Sequence, residues 1–260
     1  MSKITPPLSI VTVVFNDLKG LNETYKSLKS QTFTTFEWIV IDGGSTDGTK
    51  EFIQNDNQLI KTYISEPDNG IFDAMNKGIK LATGTWITFL NAGDAYTRPT
   101  ILEYIFSQNL SNKTFIYSDM FLLDHLGKKV RYLKAEPLSK TSITKGMIAC
   151  HQTMFVRLSI CPNYNPKFKC QGDLNWVMDI FENLTTSELL YLNIDSVYYK
   201  SGGFSDNQLF NQLKTHVHLI ISRYGIWMLL VRIPRLVRRY LGKYIRQAFG
   251  IQTFRFWIKN

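Results

Sequence analysis

Ser65-Glu66-Pro67-Asp68-Asn69-Gly70-Ile71-Phe72-Asp73-Ala74-Met75-Asn76-Lys77-Gly78, followed by Phe89-Leu90-Asn91-Ala92-Gly93-Asp94, decides the architecture of this chain. The first run reads as a turn passing into a helix whose opening residues are polar and acidic. The second reads as the end of a strand with a lone acid just past it. A helix over 71–82 and a strand over 86–90 frame the two. Open α/β sheets bind ligands beyond the carboxyl ends of their strands, where loops and helix N-termini face one crevice. Both runs belong at such an edge.

Outward from there, 8–14 is a short, nearly all-apolar, β-branched run, the mark of a strand buried on both faces. Leu21, Tyr25 and Leu28 set a helix over 18–31, and 36–41 is a second buried strand. Asp42-Gly43-Gly44-Ser45-Thr46-Asp47-Gly48-Thr49 holds too many turn formers to extend it; Ser45 or Thr46 is placed to cap a helix running to Asn55. A third strand over 60–65 completes a strand–helix alternation that predicts an α/β fold with a Rossmann-like, mostly parallel sheet. Beyond a helix at 100–108 the pattern is more mixed: strands at 115–119, 129–133, 152–156 and 189–199, and a helix over 173–181.

The net charge of +9 is unevenly spread. No acid follows Asp206, while ten of the 30 basic residues do, so residues 1–206 hold 20 basic against 21 acidic side chains. A near-neutral body with a basic tail is not a nucleic-acid binder, and no nucleic-acid partner is expected. Cys150, Cys161 and Cys170 lack paired spacing, which predicts neither disulfides nor a zinc site. The N-terminus has no signal-peptide core, and the apolar stretch 219–233 is cut by Arg223 and Arg232, so no transmembrane helix is expected. From 234 to 249 the spacing is amphipathic: Arg232, Arg235, Arg239, Lys243 and Arg246 share one face, and Ile233, Leu236, Val237, Tyr240, Leu241, Tyr244 and Ala248 the other. With the basic-aromatic end Arg255-Phe256-Trp257, this face suits an anionic bilayer, although a docking helix or dimer contact has the same pattern.

Ser9 to Asn16, Glu37 to Thr49, Ser65 to Gly78 and Asn91 to Asp94 together resemble, in order, the motifs of family 2 glycosyltransferases with a GT-A fold. The likeness covers residues 8 to about 205 and is strongest to non-processive bacterial enzymes of exopolysaccharide, colanic-acid-like and O-antigen assembly. It implies a GT-A domain over 1–206, with a nucleotide-binding half at 1–94 and an acceptor half at 95–206, followed by a basic helical extension at 207–260. The activity it implies is inverting transfer of one sugar from a UDP-sugar donor to a saccharide or lipid-linked saccharide. The expected location is cytoplasmic, peripheral on the inner membrane face. The Gln-x-x-Arg-Trp motif of processive synthases is absent.

Residue by residue, the resemblance implies Asp42 for the imide of the base, with Asn16, Ser45, Asp73, Asn76, Asn91 and Gly93 lining the nucleotide pocket. Asp94 is the expected ligand for Mg²⁺ or Mn²⁺, since hard cations take carboxylate, phosphate and water oxygens. Asp173 in Gln171-Gly172-Asp173 is the candidate base, although relatives often carry Glu-Asp there; Asp179 is the alternative. His151-Gln152 is expected near the diphosphate or acceptor, and Gly202-Gly203-Phe204-Ser205 over the donor. Each has a plainer reading: Asp42 and Asp94 as turn formers, Asp73 and Asp173 as helix-start acids, His151 as a structural histidine. A non-catalytic nucleotide-sugar or saccharide binder is the rival function, favoured by the modest acidity around Asp94.

Overall fold

A computed structural model describes residues 7–55, 58–124, 127–200 and 208–249, with side chains to 245. The expected 202–205 loop and the 255–257 end lie outside the described residues. Strands β1 (Leu8–Val14), β2 (Phe36–Asp42), β3 (Ile60–Ser65) and β4 (Trp86–Phe89) pair in parallel in the order β3-β2-β1-β4. Helices α1 (Leu18–Lys29), α2 (Thr49–Asn55) and α3 (Ile71–Leu81) connect them. Every residue of β1 is buried because both faces of the sheet are covered. Leu8 and Ile10 pack with Leu21 and Trp38 on one face, while Val11 and Val13 meet Met75, Trp176 and Phe181 on the other. Gly78 lets α3 lie on the sheet: a Cβ there would sit 2.3 Å from Val11 Cγ1.

The sheet then turns mixed. β5 (Ala95–Tyr96) and α4 (Ile101–Phe106) lead into β6 (Phe115–Leu123) and β7 (Lys129–Leu133). β8 (Phe155–Arg157) runs antiparallel between β4 and β6, and β9 (Leu189–Lys200) runs parallel to β6 and antiparallel to β5. α5 (Gly172–Phe181) covers this half. The chain steps outward from β1 through β2 to β3 and then crosses back through α3 to β4 on the other side of β1, so a crevice opens at the carboxyl ends of β1 and β4.

Two local expectations are corrected. α2 is capped by Asp47, whose carboxylate accepts from the Thr49 N–H and hydroxyl, because Ser45 is turned inward to Asp42. The C-terminal helix α6 (Leu209–Phe249) begins about 25 residues before the amphipathic segment and breaks at Gly225 (φ 79°, ψ 171°). Ile220 packs with Leu236, His216 Nδ1 lies 3.2 Å from the Tyr240 hydroxyl, and Lys243 donates to Gln212. The two limbs therefore fold back on each other as a hairpin. Residues 209–245 are long and apolar enough in composition to cross a membrane, yet the break at Gly225 keeps them from forming one straight rod.

Candidate active site

A cavity of about 1390 Å³ occupies the crevice. Small-molecule pockets usually measure roughly 300–1,000 Å³, so this one has room for two reactants. One wall is made by Phe15, the Gly43-Gly44 turn, the 67–75 run, Asn91 and Asp94; the other by His151, Gln171, Asp173 and, from α6, Arg235 and Arg239.

Asp94 is 3% exposed and lies in a turn built for it. Gly93 takes φ 90°, a conformation open to glycine, and its N–H donates to the Thr24 hydroxyl at 3.1 Å. That hydroxyl donates in turn to the Asp94 carbonyl at 2.8 Å, so α1 pins the loop. The Lys200 N–H donates to Asp94 Oδ1 at 3.2 Å. Burial raises the carboxyl to about 7, against the opposing pull of Lys200 and Gln152. Beside it, Asn91 Oδ1 is buried without a hydrogen-bond partner among the described residues. Two hard oxygens facing the same crevice fit a divalent cation. No group of three His, Cys, Asp or Glu that could hold a metal occurs among the described residues, so phosphate and water would complete such a shell.

Asp173 stands at the start of α5, its Oδ1 accepting from the Leu174 N–H at 2.9 Å. His151 Nδ1 lies 3.8 Å from Asp173 Oδ2, too far for a hydrogen bond. Burial holds the imidazole toward its neutral form, and Nε2 has no partner among the described residues. The Cys150 thiol, pushed up chiefly by burial and further by Asp94 and Asp173, lines the same cavity as the two acids. Gly172 is closely packed: a Cβ there would sit 2.5 Å from the Phe72 ring. Asp179, the alternative base, does not line the cavity and is bound by Arg223 and Asn175.

Several expected lining residues are elsewhere. Asp42 is fully buried and does not line the cavity; its carboxylate accepts from Ser45 and from Ser65 (2.7 Å). Ser45 also accepts from the Asn16 N–H, and Asn16 Oδ1 accepts from the Thr46 N–H at 2.8 Å. Asn16, Asp42 and Ser45 thus brace the glycine turn from behind. Asn76 spends both ends of its amide on the Tyr164 main chain, donating at 2.8 Å and accepting at 2.7 Å. Gly93 shapes the turn without lining the cavity. Asp73 does line it, and also accepts from the Asn69 N–H at 3.1 Å as a helix-start acid.

Sequence reasoning passed over three lining residues. Phe15 is a 64% exposed ring at the nucleotide-side rim. Asp68 sits where a side chain on Gly43 would be, its Oδ2 only 2.7 Å from that Cβ position. In the sequence it is one turn former among several, with nothing to single it out. Arg239 is expected, from its spacing, on a basic face turned to an anionic bilayer. Instead Arg232 donates to Thr144, Arg235 pairs with Glu136, and Arg239 Nη1 donates to the Lys145 carbonyl at 3.3 Å. Arg232 and Arg239 are held against the body with Leu236 and Tyr240 buried beside them, while Arg235, Val237, Leu241 and Tyr244 are exposed.

Residues 9–116 match the family model described as Glycosyl transferase family 2. An uncharacterized glycosyltransferase of Mycobacterium tuberculosis is 40% identical over 98 residues, 37% of each chain, so that alignment spans little more than a third of its length. A PGL/p-HBAD biosynthesis glycosyltransferase of Mycobacterium bovis is 27% identical over 97% of both chains. Among solved structures, Staphylococcus aureus TarS 1-349 in complex with UDP superposes with a TM-score of 0.68 at 16% identity, covering 94% of this chain and 75% of that one. A mannosyltransferase of Pyrobaculum calidifontis in complex with GDP-Man and Mn²⁺ gives 0.59 at 11% identity, covering 95% and 80%. With the motifs in order around one crevice of a GT-A-like fold, residues 9–116 are similar to the family 2 glycosyltransferases.

Proposed function

We propose that this chain transfers one sugar from a UDP-sugar to a saccharide or lipid-linked saccharide acceptor, with inversion at the anomeric carbon. The observation that carries the reading is that Asp94 and Asp173 line one cavity large enough for donor and acceptor. Residues 1–206 form the transferase unit in this reading, with the nucleotide on the 1–94 side. Phe15 offers a ring for the base, and the α3 N-terminus, with its free N–H groups and positive dipole end, favours the diphosphate. Asp94 and Asn91 would hold Mg²⁺ or Mn²⁺ there; when bound, the ion neutralises charge on the leaving diphosphate.

Asp173 takes the proton from the acceptor hydroxyl as its oxygen attacks the anomeric carbon. The carbon–oxygen bond to the diphosphate breaks on the opposite face, and its electron pair leaves with UDP. Held toward its neutral form by burial, His151 puts no positive charge beside Asp173 that would weaken the carboxylate as a base. The TarS complexes with UDP and UDP-GlcNAc, and the Mn²⁺ complex of the mannosyltransferase, support the donor and cofactor classes. The mycobacterial relative's role in PGL biosynthesis supports a glycolipid-type acceptor. The exposed apolar tip of α6, led by Trp227 (79% exposed) with Ile226, Leu230 and Val231, would seat the protein peripherally on an anionic bilayer at the cytoplasmic face.

Purified chain with MnCl₂ and a UDP-sugar panel should release UDP when a lipid-linked saccharide extract is added. Asp173→Asn should lower that release at least 100-fold and leave the UDP Kd within twofold. Wild-type turnover by the variant would remove Asp173 from the mechanism; absence of any release would favour the binding-protein reading.

A further inference from the structure

We propose that Arg239 forms a phosphate-binding subsite on the acceptor wall of the cavity, separate from the diphosphate position beside Asp94. The proposal rests on the transferase reading for its place in the reaction, but its test does not use turnover.

Arg239 reaches the cavity from the second limb of α6. Its guanidinium lies flat against the backbone of Gly146, where a Cβ would be 2.6 Å from Nη1, and His216 walls the same spot. Nη1 has two long hydrogen bonds, to the carbonyls of Lys145 (3.3 Å) and Met147 (3.4 Å). Nε and Nη2 have none among the described residues, and no described carboxylate comes within ion-pair distance. Arg223 and Arg235 of α6 differ, pairing with Asp179 and Glu182 and with Glu136, while Arg232 is spent on the Thr144 hydroxyl and the Thr141 carbonyl.

Removing a guanidinium from water without a counter-ion is costly, and burial here opposes its charge. Such a group is kept where an anion arrives. The planar fork of donors suits two phosphate oxygens at once. His216 does not compete as a cation, because burial and Arg239 itself hold its imidazole down at about 4. Exposed Lys169, on the same cavity, adds a second positive charge at the rim. Asp173 and Arg239 line the same wall of the cavity, which puts this subsite on the side of the attacking hydroxyl. A phosphate there belongs to the acceptor: a saccharide on a lipid phosphate or diphosphate carries one at the right end, and the apolar tip of the same hairpin faces outward toward where its lipid would lie.

The full chain, saturated with UDP and MnCl₂, is titrated calorimetrically with farnesyl diphosphate and, as control, farnesol. The wild type should bind the diphosphate at least tenfold more tightly than the alcohol. Arg239→Gln should abolish that difference, Arg239→Lys should retain part of it, and Arg238→Gln, on the exposed side of the same helix, should not change it. A tenfold loss of UDP affinity in Arg239→Gln with farnesyl diphosphate binding unaltered would overturn the acceptor assignment and give the phosphate to the donor. Equal binding of diphosphate and alcohol by the wild type would overturn the subsite altogether, whether or not the variants fold.

Discussion

Replacing Asp94 by Asn should stabilise the metal-free protein while disabling it. The buried carboxyl titrates at about 7 in the fold, against roughly 3.9 in an unfolded chain. A raised carboxyl keeps its proton in the native state after the unfolded state has lost its own, so its contribution is intact below about pH 4 and is lost as pH rises through 7. At about 1.4 kcal/mol for each pH unit of difference, the ionised group weakens the fold by about 4 kcal/mol above pH 8. Asparagine never ionises. It keeps an oxygen for the Lys200 N–H, but its amide must face Gln152, which offsets about half the gain. A rise in Tm of roughly 4–8 °C follows for a chain of this size. The assay is thermal unfolding in EDTA at pH 8.5 and pH 5.0. The gain should be less than half as large at the lower pH, where the native wild-type carboxyl is already protonated. Adding MnCl₂ and UDP at pH 8.5 should then stabilise the wild type and leave Asp94→Asn unmoved. An equal shift at both pH values, or a variant less stable than the wild type at pH 8.5, would refute the reasoning.

Asn76→Ala removes two hydrogen bonds to the Tyr164 main chain and should cost about 2–3 kcal/mol; melting will show the loss, and UDP titration should show unchanged affinity. Gly172→Glu recreates the Glu-Asp pair of relatives but drives a side chain into Phe72, so Tm should fall by several degrees, and Phe72→Ala in the same chain should recover part of it in a double-mutant cycle. Trp227→Ser with Val231→Ser should leave Tm within 2 °C or so, since both residues are exposed. The same pair should at least halve sedimentation with phosphatidylglycerol vesicles; undiminished sedimentation would send the apolar tip to a protein partner instead.

Much of the nucleotide half was legible because its signals are local. β-branched runs at 8–14 and 36–42 mark strands whichever way the chain folds, and helical spacing over 71–81 needs no partner to be read. The lone acid after β4 was equally plain, since a turn beyond a strand end has few other uses for a carboxylate. Which polar atom faces the ligand was not legible. Asp42 and Asn76 have the right chemistry in the right loops, but hydrogen bonds to Ser65 and to the Tyr164 main chain, 23 and 88 positions away, claim their side chains. Asp68 came into the crevice because Gly43 leaves a gap that only the folded loop reveals.

The tail shows the same division most sharply. Spacing alone determined that residues 232–245 make a helix with a basic and an apolar face, because 3.6-residue periodicity is a property of the segment itself. Which face looks inward depended on the break at Gly225 and on acceptors contributed by residues 136–147, and those settled the arginines against the body. Periodicity orders side chains around an axis; only packing against something else chooses which of them meets water.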